Sequence, residues 1–311
     1  MSDNAQQIGR QDSADLSERS DLITAVPLRH PWRMLSAVLL IGIVLGFIAD
    51  ASHREAYGWA TYRKYIFDAG VAKASLVTLE LTIYSMLIAV ILGVLLAVMR
   101  QSPNPVFKSV AWAYIWIFRG TPVYVQLVFW GLLTTLYPSA MLGVPQVVDI
   151  VALPSLADIP LFWFAVIGLG LNESAYMAEI VRAGLLSVDR GQEEAAKALG
   201  MSWSLSMRRI IIPQAMRIII PPTGNEVISM LKTTSLVTAI PLTIDLYMAT
   251  RDISATTYKP VPLLLVASTW YLVFTSVLMV LQYFLEKRFA RGYAQMGLEV
   301  QAAPLEGNGA G

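Results

Sequence analysis

Ionisable and amide side chains interrupt two of the most apolar stretches of this 311-residue chain. Over residues 159–181 and the turn that follows, Asn172, Tyr176, Glu179 and Ala183 fall within a ~60° stripe at helical spacing, with Glu173 at its edge. Over residues 218–240, Asn225, Ser229 and Lys232 share a stripe of similar width (~60°). A charge inside a membrane span is costly and as a rule faces a polar path or a partner charge. Two chemistries suit such stripes: lining the route of a small polar solute, or gluing helices together through hydrogen bonds. A helix entered near Ile159 carries Glu173 ~20 Å along, and one entered near Thr223 from the opposite side carries Lys232 ~14 Å in. The two charges are therefore expected at similar depth, paired directly or bridged by a solute with an ammonium and a carboxylate of its own.

Other chemistries are excluded by composition. There is no cysteine, and the two histidines, His30 and His53, lie outside the apolar stretches, so neither a thiolate nor a metal site is expected. No paired nucleophile and base is visible, and the chain is not expected to be an enzyme. No Gly-Lys dipeptide occurs, so there is no phosphate-cradling loop and no cofactor is expected. If ATP drives this protein, another chain binds it. A net charge of +1 gives no basic excess for a nucleic acid.

With hydrophobic residues at 56%, charged residues at 14% and a mean hydropathy of +0.56, the chain reads as an all-α integral membrane protein. Residues 1–33 are polar without apolar period and read as a disordered tail. Residues 34–50 form an uncharged run of barely spanning length. Ala49-Asp50-Ala51 after it mimics a signal-peptidase site, but the long polar tail before it favours a retained anchor. Residues 52–71 read as an outer loop with interfacial Tyr57, Trp59, Tyr62 and Tyr65. Five core spans follow within 70–290: 75–99, 123–137, 159–181, 218–240 and 261–284. An inner turn is expected at 102–108, outer loops after 137 and after 240, and a disordered tail over 291–311.

Lys and Arg placement sets the orientation. The proposed inner segments carry 16 of the 23, Arg119 among them; the outer ones carry six, and Lys232 lies within a span. Both termini and the polar segment around 191–215 are therefore expected in the cytoplasm.

That segment, GQEEAAKALGMSWSLSMRRIIIPQA over 191–215, is too polar to span. Glu193 and Glu194 open a helix that Ala195, Ala196, Ala198 and Leu199 continue, Lys197 sits near its end, and Gly200 stops it. Ser202 is placed to cap a second helix that Pro213 interrupts or bends. An alanine face on such an elbow lets a partner approach closely.

Glu194, Ala195 and Ala196, then Gly200, then Ile210, Ile212 and Pro213 resemble the EAA loop of ABC importer permeases, departing only in Ile212 where leucine is usual. Arg119-Gly120-Thr121-Pro122 with Val125-Gln126-Leu127 is similar to a segment of the polar amino acid uptake permeases. So are Ser174-Ala175-Tyr176 with Ala178-Glu179-Ile180 and Arg182, and Lys232-Thr233-Thr234-Ser235-Leu236. The resemblance covers residues 70–290 and implies a five-helix permease core, preceded here by one extra helix. It further implies a multi-pass inner-membrane location and transport of polar or charged amino acids by alternating access. The implied partners are two ATPase subunits, an extracytoplasmic solute-binding protein and a second permease core, identical or not. Coupling to the ATPase is expected at Glu193, Glu194, Ala195, Ala196 and Gly200. The path is expected to be lined by Arg119, Thr121, Gln126, Asn172, Glu173, Tyr176, Glu179, Asn225, Ser229 and Lys232. For Arg119 to Gln126 two readings stand side by side, a gate and a fold marker. The rival to the whole is an ATP-independent channel or secondary carrier using Glu173 and Lys232.

Overall fold

The computed structural model of the chain describes residues 31–137, 141–144, 148–152 and 156–290. The expected tails therefore lie outside the described residues over 1–30 and 291–311. The chain divides after Tyr57 into two compact units. The first holds helix α1, Pro31–His53, in which every side chain from Trp32 to Asp50 is exposed. Twenty-three residues span ~35 Å at 1.5 Å each, enough for a ~30 Å hydrocarbon core. The helix outruns the expected 34–50 at both ends because Pro31 suits a first turn and nothing before His53 breaks the pattern.

In the second unit the axis of the core is a pair of helices, α3 (Ala69–Gln101) and α6 (Leu161–Leu186). Asp68 caps α3, accepting from the amides of Gly70 and Val71. The two helices run parallel: Ser85 Oγ donates to Val166 O at 3.2 Å, Gly170 faces Ile88, and Gly93 faces Met177 further along. A Cβ on Gly93 would stand 2.6 Å from Met177 Cβ, so only glycine permits this approach.

Parallel neighbours demand a return crossing between them, and it differs from expectation. The inner turn expected at 102–108 is confined to residues 102–104. Asn104 caps α4, Pro105–Gly120, with Pro105 in its first turn, and α5, Val123–Leu136, continues it. Ala111 and Ile115 pack with Ala175 and Ala178; Tyr114 donates to Leu171 O at 2.9 Å. Further on, Leu127 and Trp130 lie against Gly168. Residue numbers rise on one side as they fall on the other, so α4 and α5 form one broken crossing antiparallel to α6. The break falls at Thr121 and Pro122, both extended, because a residue before proline is driven out of the helical region.

Strands β1 (Met141–Val144) and β2 (Val148–Ala152) pair antiparallel with Met141 opposite Ala152, forming a short hairpin on an otherwise helical fold. Prolines 138, 145 and 154 of the expected loop lie outside the described residues. The fourth crossing starts earlier than 218: helix α9, Ile212–Thr233, holds Pro213 in its first turn and carries Pro221 and Pro222 inside it, then tightens into a 3-10 segment over Thr234–Ala239. Of the three segments read as outer loops, the first and the last contain helices. α2, Trp59–Tyr65, is tied to α11, Pro260–Ala290, by Tyr62 and Thr269 (3.0 Å between hydroxyls), and Trp270 Nε1 donates to Ile66 O at 3.0 Å. α10, Leu246–Thr257, is capped by Asp245. Among the described residues, α1, α3, α6 and α11 are long and apolar enough to cross a membrane.

Candidate functional site

The break in the second crossing leaves the last carbonyls of α4 without helical partners. Three side chains meet that need. Thr121 Oγ1 donates to Ile117 O at 2.8 Å, and Gln126 Nε2 lies 3.0 Å from Phe118 O and 2.7 Å from Thr121 Oγ1. Asn172 Nδ2, from α6, reaches Phe118 O at 2.9 Å and Gln126 Oε1 at 3.1 Å. Thr121, Gln126 and Asn172 are thus brought together, with Gln126 and Asn172 buried. This supplies Gln126 with the partner its position requires and explains the segment as architecture.

The break lies deep. Asn172 is eleven residues past Leu161, ~17 Å along α6. Arg119 stands over the ring of Tyr176, 5.1 Å from its centroid. Arg119 therefore stands well along the crossing that α4 and α5 form, not in the inner segment where it was expected. Glu179 turns along its own helix to Arg182, at 2.6 Å.

The expected pairing of Glu173 with Lys232 is not present. Glu173 is buried, and the carboxyl of Glu226 on α9 is its charged neighbour. Its Oε1 has no partner among the described residues. Lys232 stays exposed, six residues further along α9, with no hydrogen bond or ion pair to its ammonium among the described residues. Sequence reading missed Glu226 although the rule that singled out Glu173, an ionisable group inside a span, applies to it equally. Asn225 accepts from Gln282 Nε2 at 3.0 Å, and the same amide reaches Glu286 Oε1 at 2.8 Å, so Asn225 joins α9 to α11. Ser229 lies exposed on the same face as Lys232.

At the elbow, helix α7 spans Arg190–Ala198 and is capped by Asp189, earlier than the glutamates expected to open it. Glu193 pairs with Lys197 at 2.7 Å. Gly200 takes φ +70°, Met201 N donates to Ala196 O at 3.0 Å, and Gly200 N to Lys197 O at 2.9 Å. These paired bonds are the Schellman ending that a left-handed residue allows. Glu194 and Ala195 are exposed, but Ala196 turns inward and is 1% exposed, so it is not part of an open alanine face. Ser202 precedes α8, Trp203–Ser206, without a side-chain capping bond. A π turn over Met207–Ile211 then joins α8 to α9 with helical backbone throughout, so the irregular stretch of this second helix lies directly before Pro213.

A second unforeseen acid, Asp245, is fully buried where α10 begins. Its Oδ2 accepts from the amides of Tyr247 and Met248, while Oδ1 has no partner among the described residues. Burial pushes this carboxyl up to about 6, against the capping amides, which pull it down. The hydroxyl of Tyr271 on α11 lies beside it with Thr78 and Thr234.

Comparison with known proteins places this geometry. The family described as the binding-protein-dependent transport system inner membrane component matches residues 89–291. The arginine transport system permease protein ArgU of Corynebacterium glutamicum is 60% identical over 283 residues, covering 91% of this chain and 88% of that one. The nopaline transport system permease protein NocM of Agrobacterium fabrum is 41% identical over 203 residues, 64% of this chain and 79% of that one. A crystal structure of an amino acid ABC transporter with histidines superposes with a TM-score of 0.59 at 35% identity, covering 70% of this chain and 94% of that one. The chain thus belongs to the binding-protein-dependent transport system inner membrane component family, as the membrane-spanning permease subunit of an ATP-binding cassette importer whose ATP is hydrolysed by a separate subunit.

Proposed function

We propose that this permease imports amino acids with a cationic side chain. The observation that carries the reading is the buried Glu173 of α6 with the half-buried Glu226 of α9 as its neighbour and one Glu173 oxygen unpartnered among the described residues. Two carboxyls in a low-dielectric interior repel when ionised, and a passing guanidinium or ammonium relieves both. Arg119, held over Tyr176 on the same helix as Glu173, offers the opposite charge to an α-carboxylate. The names of the relatives, arginine and nopaline permeases among them, agree.

In this reading Thr121, Gln126, Asn172 and Asn225 hold the path's walls, while Arg119, Glu173, Tyr176, Glu179, Ser229 and Lys232 border it. An exposed ammonium such as that of Lys232 is unsuited to lipid, so its face of α9 meets a second permease core, identical or not. Two ATPase subunits grip the elbow through exposed Glu194 and Ala195, with Glu193 braced by Lys197 and Gly200 and Ala196 shaping the turn. A solute-binding protein delivers from outside, both termini lie in the cytoplasm, and α1 is a retained anchor.

The test is uptake by the reconstituted transporter with its binding protein, comparing labelled arginine, glutamine and glutamate. Glu173→Gln and Glu226→Gln should each reduce arginine uptake strongly while binding-protein affinity stays unchanged. Undiminished arginine uptake in both variants refutes the carboxyl pair as a selector.

A further inference from the structure

Helix α10 is fixed at its start by a carboxyl that no cation answers among the described residues. Asp245 is 0% exposed; its Oδ2 accepts from the amides of Tyr247 and Met248, and its Oδ1 has no partner among the described residues. The oxygens around it come from other elements. Thr78 Oγ1 of α3 accepts from Leu246 N at 3.0 Å, and Thr78 and Thr234 both neighbour the buried hydroxyl of Tyr271 on α11. Both threonine protons are already committed to carbonyls one turn back, Thr78 to Ala74 O at 3.3 Å and Thr234 to Leu231 O at 2.6 Å. With the carboxyl ionised, the cluster is therefore rich in lone pairs and has the Tyr271 hydroxyl as its free donor. A proton on Asp245 supplies a second donor where one is lacking.

No neighbouring charge replaces that proton. On α10 itself Asp252 adds repulsion, and exposed Arg251 is turned to Met248 Sδ, 3.7 Å away. Tyr247 of α10 and Tyr271 of α11 are the other titratable neighbours. Lys259, just before α11, donates to Thr61. Lys73 and Glu80 of α3 and Lys232 of α9 are exposed, and none is paired with Asp245 among the described residues. A buried, unpaired carboxylate is costly, whereas a hydrated one is not. With no accessible surface, this carboxyl meets water only when its cover moves. The cover includes α10 itself, whose Leu246 packs with Val71 of α3 and Val266 of α11, all fully buried. Loss of the proton and lifting of α10 are thus coupled.

We propose that Asp245 is a proton-operated latch: with its proton on, α10 is docked in the seam between α3 and α11, and with its proton off the start of α10 lifts and the carboxylate meets water. Thr234 opens the 3-10 segment that follows α9, so the latch ties the end of the helix bearing Glu226 to α10. The device is independent of which solute is carried.

The chain has no cysteine, so a single introduced thiol reports on the seam. Thr250→Cys places one on α10 at a position 2% exposed. The full chain, assembled with its ATPase in detergent, is treated with a maleimide at pH 5 and at pH 7.5, and labelling is read on the permease band. The same measurement is made on Thr250→Cys combined with Asp245→Asn, which keeps a capping oxygen and cannot ionise. Dividing the first labelling rate by the second at each pH removes the titration of the thiol itself. A carboxyl at about 6 when docked and at its ordinary 3.8 when hydrated makes this ratio rise about tenfold from pH 5 to pH 7.5. Ile253→Cys, half-buried against the same apolar cluster, repeats the measurement if Thr250→Cys folds poorly. A ratio that stays constant between the two pH values, or falls as the pH rises, overturns the proposal.

Discussion

Asn172 and Gln126 meet amide to amide, Nδ2 to Oε1 at 3.1 Å, across the break between α4 and α5. Neither is near the other in sequence, and each also reaches a backbone carbonyl that the break has freed. This relationship turns a discontinuity deep in the crossing into a rigid corner.

Gln126→Leu should therefore destabilise the fold by about 1–3 kcal/mol, the cost of buried polar groups left unmatched. Asn172→Leu should cost a similar amount, and the double change less than their sum because the pair share one bond. Thermal unfolding of the detergent-purified chain measures all three, and strict additivity would show that the two amides act independently.

Gly200 provides a test of the elbow. Its φ of +70° costs an ordinary L-residue about 1–2 kcal/mol, and the space around it is open, so the penalty is conformational rather than steric. Gly200→Asp should lower substrate uptake while the chain still reaches the membrane. Gly200→Asn, which tolerates the left-handed region better, should recover part of it. Uptake and membrane abundance measured in parallel check this, and wild-type uptake in Gly200→Asp would contradict the turn's role.

Gly93 tests the α3–α6 contact. Replacing it with leucine forces the two parallel helices apart at Met177 and should cost about 1–3 kcal/mol or more, as overpacking does. A lowered melting temperature in detergent is the expected readout, with alanine giving a smaller shift than leucine.

Asp245 carries a pH dependence with a definite sign. Its folded value, raised to about 6 from 3.8, means the folded state binds the proton more tightly than the unfolded chain. Stability from this group is thus greatest below about 4 and is lost as pH rises toward about 6. Asp245→Asn keeps a capping oxygen and removes the buried charge, so it should stabilise the chain at pH 7.5 by up to about 3 kcal/mol. That advantage should shrink as the pH is lowered through 6 toward 4. A stabilisation independent of pH would show that charge burial is not the cause.

What the sequence by itself determined was whatever rests on local pattern. The apolar lengths identify α3, α6 and α11, and the spacing from Glu194 to Gly200 and Pro213 identifies the elbow with its left-handed stop, because helix period and backbone freedom are properties of neighbours in the chain. The family followed from the same short motifs. The tertiary structure alone decided which side chains meet. Pairing Glu173 with Lys232 was inferred from depth along two helices, but depth leaves rotation undetermined; packing of α9 leaves Glu226 half-buried as the neighbour of Glu173 and Lys232 exposed. Gln126 looked like a polar group in search of a path until α6 brought Asn172 to it. Arg119 read as an inner-segment charge because the crossing is broken just after it at Thr121 and Pro122, whereas the contacts of α4 with α6 show a crossing already under way. Asp245 lay in a polar stretch with every sign of exposure, and only the convergence of α3, α10 and α11 buries it, since burial is a property of what packs on a residue from afar.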